Sequence, residues 1–252
     1  MTLRILIVDD EQPARNRLRE LLDDCRLEVP HEIVGEAANG MEALALLPEA
    51  RPDVALVDIN MPGMSGIELA GHLQVLEHPP AVIFATAHNQ YAVEAFEVNA
   101  IDYLLKPVRA VRLAAALKKI GGARAPAGLS RETLSRLDPQ PRRHFAIAER
   151  GKVKLVPVAD VLFLKADLKY VLVRTHEAEH LIEEPLSRLE EEFGGLFIRI
   201  HRSCLVARHL IRGFERVTGE DGEGWAVVLE GWPEKLPVSR RQWPGVKAIV
   251  GV

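Results

Sequence analysis

The chain has 252 residues, of which 48% are hydrophobic and 27% charged, and its formal net charge at pH 7 is −4. This length allows one large domain or two ordinary ones, and no apolar stretch approaches the roughly 20 residues that a membrane-spanning helix needs. The amino-terminal residues lack the pattern of a signal peptide. The two cysteines lie far apart, without histidine or cysteine at metal-ligand spacing, so we expect free thiols in a cytoplasmic protein.

The first 120 residues alternate between short apolar runs and segments with helical periodicity. Five strands are predicted, over Leu3–Val8, about Glu32–Glu36, Asp53–Val57, Ala81–Ala85 and Ile101–Leu105. Helices are predicted from Pro13 to about Asp24, after Asn39-Gly40, after Ser65-Gly66, after Asn89, and from about Ala110 to Lys119. This alternation predicts an α/β fold with a doubly wound, flavodoxin-like parallel sheet of five strands.

Polar residues directly follow four of these apolar runs. Asp9 and Asp10 follow the first, Asp58 the third, Thr86 the fourth and Lys106 the fifth. Because ligands of parallel sheets bind where the carboxyl ends of the strands meet, we expect these side chains to converge. Three close carboxylates require a counter-charge, and oxygen donors alone favour Mg²⁺ over zinc.

Asp58 is the candidate nucleophile of this predicted site. A carboxylate can form an aspartyl-phosphate, and the Met61-Pro62-Gly63 turn that follows Asp58 holds it on a loop. Lys106 and the hydroxyl of Thr86 would then donate hydrogen bonds to the transferred phosphoryl oxygens.

Each of these residues also has a purely structural interpretation. Asp9-Asp10 can cap the helix that begins near Glu11, and Lys106-Pro107 can form a solvated turn. Thr86 and Tyr103 can simply pack in the sheet. The occurrence of all of them at these spacings favours the functional interpretation.

Residues 1–120 resemble the receiver domain of two-component response regulators in the acidic pair, the later aspartate, Thr86 and Lys106-Pro107. The resemblance implies that Asp58 is the phosphoacceptor and that Thr86 and Lys106 assist the phosphoryl transfer. It implies that Thr86 and Tyr103 act as switch residues. The Mg²⁺ ligands that it implies are Asp9 (through water), Asp10, Asp58 and the backbone carbonyl of Asn60.

The chain changes character after residue 120. Residues 121–141 are rich in Ala, Pro, Arg and Ser, which predicts a flexible linker, and residues 142–252 form a second predicted domain. This domain contains nine predicted strands, over His144–Glu149, Lys152–Val156, Val161–Lys165, Tyr170–Thr175, Glu179–Ile182, Phe197–Ile200, Leu210–Val217, Trp225–Glu230 and Lys235–Val238. Helices are predicted over about Pro185–Phe193 and near the end, beginning at Ser239 or at Trp243-Pro244. This pattern of many short strands with few helices predicts a mostly antiparallel β domain.

Basic residues are concentrated in this second domain. Five arginines occur from Arg199 to Arg216, with Glu215 as the one acidic residue among them, and Arg240, Arg241 and Lys247 follow. Arginines on loops can bond guanine edges and phosphates of DNA. The alternative is that they solvate a β surface or pair with the acidic helix at Glu183–Glu192.

Three stretches of this domain resemble the LytTR DNA-binding domain, namely Val161–Val171, Phe197–Val206 and Pro237–Arg240. Together with the receiver they resemble the AlgR/LytR family of response regulators. The resemblance implies that the loop Asp167–Lys169, the segment His201–Arg208 and Arg240 enter DNA grooves. The DNA-contacting residues that we predict are Lys169, Arg199, His201, Arg202, Arg208, Arg240 and Arg241. Leu168 and Ala207 stand where some family members carry polar residues.

The resemblance predicts a response regulator in which phosphorylation of Asp58 controls sequence-specific DNA binding and transcription. The predicted partners are double-stranded promoter DNA, a sensor histidine kinase or small phosphodonor, and a second copy of the chain on DNA, with no membrane. Such a protein is no enzyme beyond promoting its own phosphoryl transfer and dephosphorylation. Two alternatives stay open: a phosphatase of the haloacid dehalogenase type, which would want a carboxylate where Asn60 stands, and a receiver whose output domain binds protein or RNA.

Overall fold

The computed structural model of the chain contains two compact units, the first comprising Met1–Arg142 with Ala148–Lys154 and the second comprising Arg143–Ile147 with Leu155–Val252. The strands His144–Glu149 and Lys152–Pro157, which this division crosses, are described with the second unit. The structure describes residues 2–87, 102–120, 141–149, 152–219 and 222–250. The predicted helix after Asn89 and nearly all of the predicted linker 121–141 lie outside these ranges. Within them, no helix has both the length and the apolar character needed to cross a membrane.

The first unit is a parallel sheet flanked by helices. Its elements are β1 (Leu3–Val8), α1 (Gln12–Cys25), β2 (His31–Ala37), α2 (Gly40–Ala50), β3 (Val54–Val57), α3 (Gly66–Leu73), β4 (Ala81–Thr86), β5 (Asp102–Leu105) and α4 (Ala110–Ile120). The strand order is β2-β1-β3-β4-β5, and every neighbouring pair is parallel. The predicted doubly wound α/β fold is confirmed.

Burial on both faces of the sheet explains why its strands are continuous apolar runs. All four residues of β3 are completely buried, and the apolar faces of α1 and α4 pack on the sheet through Leu18, Leu22, Leu113 and Leu117. Side chains fix two helix starts, since the oxygens of Asn39 and Ser65 accept backbone N–H groups of α2 and α3. The sheet therefore has well-defined carboxyl ends.

The second unit is mostly antiparallel β, as predicted. Its elements are β6 (His144–Glu149), β7 (Lys152–Pro157), β8 (Val161–Asp167), β9 (Tyr170–Thr175), β10 (Glu179–Ile182), α5 (Leu186–Phe193), β11 (Phe197–His201), β12 (Cys204–Ala207), β13 (Ile211–Gly219), β14 (Gly222–Leu229), β15 (Leu236–Val238) and α6 (Trp243–Val250). The strands form a five-stranded sheet in the order β10-β9-β8-β12-β11, a three-stranded sheet β13-β14-β15, and the pair β6-β7. Leu186, Leu189 and Phe193 of α5 pack in the core of this unit.

Two details of the second unit correct or decide the sequence-based expectations. The segment from His201 to Arg208 was expected to be one DNA-contacting segment, but its residues Cys204–Ala207 form the buried strand β12 between β8 and β11. The last helix begins at Trp243 rather than at Ser239, because Ser239 closes a turn in which its hydroxyl accepts the N–H of Gln242. The turn keeps Pro244 in the first helical turn, where its missing N–H has no cost.

Candidate functional site

The first unit brings two aspartates together where the strand order reverses. Asp9 follows β1 and Asp58 follows β3, which are neighbouring parallel strands, and the N–H of Asp58 donates to the carbonyl of Val8 at 2.8 Å. The chain leaves β1 towards β2 on one side and returns to β3 on the other. Ligands of open α/β sheets bind at this switch point, outside the carboxyl ends of the strands.

Three carboxylates and one ammonium group make up this site. Oxygens of Asp9, Asp10 and Asp58 lie within 4.8 Å of one another, with Asp9 and Asp58 buried and Asp10 more exposed. The ammonium Nζ of Lys106 lies 2.7 Å from Asp9 Oδ2 and 3.3 Å from Asp58 Oδ1. One cation therefore faces three acidic groups, and negative charge is in excess.

The pKa values of Asp58 and Lys106 reflect their burial and the charges around them. Burial raises the pKa of Asp58; Lys106 opposes this, while the neighbouring carboxylates Asp9 and Asp10 add to it. Burial lowers the pKa of Lys106, but its hydrogen bond to Asp9 and its attraction to Asp58 outweigh that effect, so the pKa of Lys106 lies above its ordinary value. Lys106 is thus a fixed ammonium, and further positive charge near Asp58 would favour its ionised form.

The donors present fit a hard divalent cation. They are oxygen atoms only, two of the three carboxylates are buried, and the loop after Asp58 carries the exposed residue Asn60. Oxygen-only sites of this kind, partly open to water, suit Mg²⁺ rather than zinc.

The other predicted residues of the first unit lie on the neighbouring strands. Thr86 ends β4 and is completely buried, and its carbonyl accepts the N–H of Lys106 at 2.8 Å, so the ends of β4 and β5 are adjacent. Tyr103 lies in β5 and is half-buried. Asp9 Oδ1 accepts the N–H of Glu11 at 3.0 Å, a bond in the turn before α1, while the N-cap of α1 is Glu11 and has no side-chain cap.

Sequence reasoning missed two residues that position the aspartates. A Cβ atom on Gly66 would lie 2.0 Å from the carbonyl oxygen of Asp58, so only glycine lets α3 start this close behind the loop. The guanidinium of Arg15 is buried and donates to the carbonyl oxygen of Asp9 at 2.6 Å. A signal existed for Arg15, which shares the inward face of α1 with Leu18 and Leu22 at helical spacing.

In the second unit, two tight turns and Arg240 lie along one end of the five-stranded sheet. Leu168-Lys169 joins β8 to β9, and Arg202-Ser203 joins β11 to β12. The N–H of Ala166 donates to the carbonyl of Ser203 at 2.8 Å, so the two turns are neighbours. The N–H of Ser239 donates to the carbonyl of Ile200 at 2.9 Å, near the end of β11, and this places Arg240 at the same end of the sheet as the two turns. We call this end the loop edge.

Lys169, Arg202 and Arg240 are all exposed on the loop edge, and Arg241 follows them. The ammonium of Lys169 lies 3.2 Å from Glu183 Oε1 and over the ring of Tyr170. Both members of that ion pair are about two-thirds exposed, with side-chain exposures of 68% and 70%, so the pair contributes little stability and can be exchanged for another anion.

The remaining predicted DNA-contacting residues are placed differently. Arg199 has a side chain only 15% exposed and binds Glu190 of α5 with an N···O distance of 2.6 Å, which is the pairing with the acidic helix that we considered. His201 is half-buried, with its Nδ1 2.8 Å from the hydroxyl of Ser203. Arg208 follows β12 and lies at the end opposite the loop edge, roughly 14 Å away at the rise of a strand.

Both units match models of known families. Residues 5–118 match the response regulator receiver domain, and residues 151–251 match the LytTr DNA-binding domain.

The chain is also similar to regulatory proteins over nearly its full length. It is 42% identical to the positive alginate biosynthesis regulatory protein of Pseudomonas aeruginosa, over 98% of this chain and 99% of that protein. It is 34% identical to the transcriptional regulatory protein BtsR of Escherichia coli, over 99% of this chain and all of that one. Among solved structures, the response regulatory domain of protein mrkE from Klebsiella pneumoniae is 36% identical over 46% of this chain and 93% of that one, with a TM-score of 0.42.

Two relatives above 30% identity match over nearly their full lengths, and the two family models cover most of the chain. The chain therefore belongs to the AlgR/LytR family of response regulators, transcription regulators in which a receiver domain is followed by a LytTR DNA-binding domain.

Proposed function

We propose that Asp58 accepts a phosphoryl group and that its phosphorylation controls promoter binding by the second unit, in the cytoplasm. The observation that carries the proposal is the position of Asp58, buried at the switch point of the sheet within 3.3 Å of the ammonium of Lys106. A buried carboxylate with an ammonium group beside it can act there as the nucleophile of a phosphoryl transfer.

The transfer itself needs little machinery. A carboxylate oxygen of Asp58 attacks the phosphorus of an acyl phosphate or of a kinase phosphohistidine, the bond from phosphorus to the leaving oxygen or nitrogen breaks, and acetate or histidine departs. Lys106 and the hydroxyl of Thr86, at the ends of adjacent strands, would hold the transferred phosphoryl oxygens. The phosphoryl transfer modifies only the chain itself, and the phosphorylated chain then binds DNA. We therefore propose a regulator rather than an enzyme.

We propose Mg²⁺ as the cofactor, held by Asp10, Asp58 and the backbone carbonyl of Asn60, with Asp9 acting through water. The excess of carboxylates over cations at this site supports this assignment. When bound, the ion supplies positive charge that offsets the charge of the transferring phosphoryl group.

Intact-mass measurement of the full chain tests the phosphoacceptor. With Mg²⁺ and acetyl phosphate, the wild type should gain one phosphoryl group, and a chelator should prevent this. Asp58→Asn should gain none, whereas Asp23→Asn, on the exposed side of α1, should behave as the wild type does. An Asp58→Asn chain that still gains one phosphoryl group contradicts the assignment.

For DNA, we propose that Lys169, Arg202 and Arg240 contact the duplex from the loop edge, because these three cations share one end of the sheet and are exposed. Arg240→Ala should weaken binding to the preferred DNA site by about 1–3 kcal/mol if Arg240 hydrogen-bonds to a base. Arg202→Ala should weaken all duplexes alike and reduce the salt slope by about 1 if Arg202 contacts phosphate. Arg212→Ala, exposed in the other sheet, is the matched control.

Gel-shift competition with promoter duplex, unrelated duplex and RNA measures these effects. A chain that binds RNA as tightly as its preferred duplex, or equal small losses from Arg202→Ala and Arg240→Ala, would contradict the proposed surface.

We further propose that two chains bind together, on half-sites one or two helical turns apart, and that phosphorylation favours the pair. A single small module buries a modest DNA interface, and linking two raises avidity without new contacts. On α4, Leu113 and Leu117 are buried in the core, which leaves Val111, 82% exposed, as its outward apolar residue. Sedimentation on a duplex with two half-sites tests the proposal, and a one-to-one complex that phosphorylation does not change refutes it.

A further inference from the structure

We propose that Leu168 reads the 5-methyl groups of thymine in the DNA major groove and so sets part of the sequence preference of this chain. The proposal rests on the proposed function, in which the loop edge faces the duplex. The proposal goes beyond the proposed function because it assigns recognition of a base to a leucine, whose side chain has no hydrogen-bonding group.

Leu168 is a large apolar residue in a position that folding disfavours. Its side chain is as exposed as in an extended peptide, with a relative accessibility of 102%, and its backbone has a φ of +53°. Among the described non-glycine residues, Arg51 alone shares a positive φ, and it caps the end of α2, where that conformation is common. Leu168 has no such helix end to explain it.

The turn in question is a two-residue hairpin, with Asp167 paired to Tyr170 on either side of Leu168-Lys169. A positive φ at the first residue of such a turn is normally provided by glycine, asparagine or aspartate. Leucine has a Cβ that crowds this backbone and has no polar group to bond it. A single exposed leucine is ordinary, but one that is also held in a left-handed conformation is not, and such outliers point to function.

The surroundings of Leu168 indicate the chemistry that it meets. Asp167 and Lys169 are exposed beside it, and the turn that carries exposed Arg202 is its neighbour across the sheet. Lys169 can leave its exposed pair with Glu183 for a phosphate. The leucine is thus an apolar residue at a turn that also carries Lys169 and lies next to the turn of Arg202, and both cations suit the phosphate backbones that border a groove.

The major groove offers one apolar group to such a residue. Cytosine presents only a C5–H at the corresponding position, and the other groups that distinguish base pairs there are hydrogen-bond donors and acceptors, whereas thymine carries a methyl group at C5. A leucine tip in the groove would favour thymine by burying this methyl group, and it would leave the polar edges of the other bases unmatched.

Replacing thymine by uracil in the preferred duplex removes this methyl group and keeps base pairing. The experiment uses the full chain and substitutes uracil for thymine at one position at a time. At one or two positions the wild type should bind about fourfold more weakly, the value expected for one buried methyl-sized group. Leu168→Asn should bind the thymine and uracil duplexes equally at those positions.

Two comparisons keep the outcome interpretable. Leu27→Asn changes another fully exposed leucine, in the first unit, and should keep the wild-type response to uracil. Leu168→Asn places a residue suited to positive φ in the turn, so its melting temperature should equal or exceed that of the wild type. A wild-type chain that is indifferent to uracil, or a Leu168→Asn chain that keeps the full uracil penalty, overturns the proposal while duplex binding stands. A wild-type chain that binds no duplex overturns the proposed function itself.

Discussion

Replacing Lys106 by methionine removes the ammonium group that contacts both Asp9 and Asp58. Methionine is close to lysine in length and keeps the apolar contacts of the side chain, so the change is chiefly the loss of charge. Asp9, which is completely buried, loses an ammonium at 2.7 Å, and Asp58 loses it at 3.3 Å. Removing one partner of a buried pair costs about 3–5 kcal/mol. Because Lys106 is 23% exposed, we expect the lower end, about 3 kcal/mol, at pH 7 without divalent cations.

The pH dependence of this loss has a definite sign. The pKa of Lys106 is raised by folding, so its stabilising effect is fully present below its ordinary pKa and is lost only as the pH rises through the higher folded value. The pKa of Asp58 is also raised, so the ionised Asp58 lowers stability as the pH rises from its ordinary value through its folded value. The cost of Lys106→Met should therefore be largest near neutral pH and should shrink in acid, as Asp58 takes up a proton.

Urea unfolding of the full chain, followed by circular dichroism, measures this cost. The three tryptophans all lie in the second unit, so their fluorescence transition should stay in place and serves as an internal reference. Lys118→Met is the matched control, because its pair with Glu28 is exposed and contributes at most about 1 kcal/mol. Mg²⁺ should restore part of the stability lost in Lys106→Met by replacing the missing charge. A loss no larger than that of Lys118→Met would refute this account of the site.

Two further substitutions and one labelling experiment have expected outcomes. Without Mg²⁺, Asp58→Asn should raise the free energy of unfolding by about 0.5–2 kcal/mol, since it removes an ionisation that burial disfavours, and thermal melting should show a weaker response to Mg²⁺ than in the wild type. Gly66→Ala should destabilise the first unit by about 2–3 kcal/mol in urea titration, because its Cβ would meet the Asp58 carbonyl, whereas Gly245→Ala, with open space around it, should be neutral or stabilising. Burial raises the pKa of the Cys204 thiol to about 12, so an alkylating reagent at pH 8 should label it only after unfolding, and labelling of the folded chain would contradict its burial.

The fold of the first unit and its acidic site were accessible from the sequence for a physical reason. Strands buried on both faces are continuous apolar runs, so their ends are marked by the first polar residue, and those residues are the site itself. The strand predicted over about Glu32–Glu36 differs from β2 by only one residue at each end. The contact of Gly66 with the Asp58 backbone was not accessible, because it depends on the path of a loop rather than on any periodic pattern.

The second unit was less predictable because its strands are short and because its arginines can either pair with acidic side chains of the same unit or face solvent. Cys204–Ala207 has four apolar residues without alternation, because both faces of β12 are buried. The arginines on either side of it favoured a DNA-contacting segment over a buried strand. Whether Arg199 faces DNA or α5 depends on which face of β11 it occupies, and only the packing of α5 decides that it binds Glu190. Lys169, Arg202 and Arg240 are on tight turns or strand ends, where exposure follows more directly from the sequence.

The spacing of the loop edge limits how much DNA one copy can address. Neighbouring strands lie roughly 4.8 Å apart, so the turns at Leu168-Lys169 and Arg202-Ser203, centred two strands apart, are separated by roughly 10 Å. Arg240 lies beyond the outer strand and extends the reach to roughly 15 Å, which is four or five base pairs at roughly 3.4 Å each. A sequence of that length recurs by chance about once in 250 to 1,000 base pairs, while a bacterial genome offers on the order of a million competing positions. If the loop edge is the DNA-binding surface, one copy is too narrow to specify a single promoter, which is a reason for the pairing of two copies that we propose.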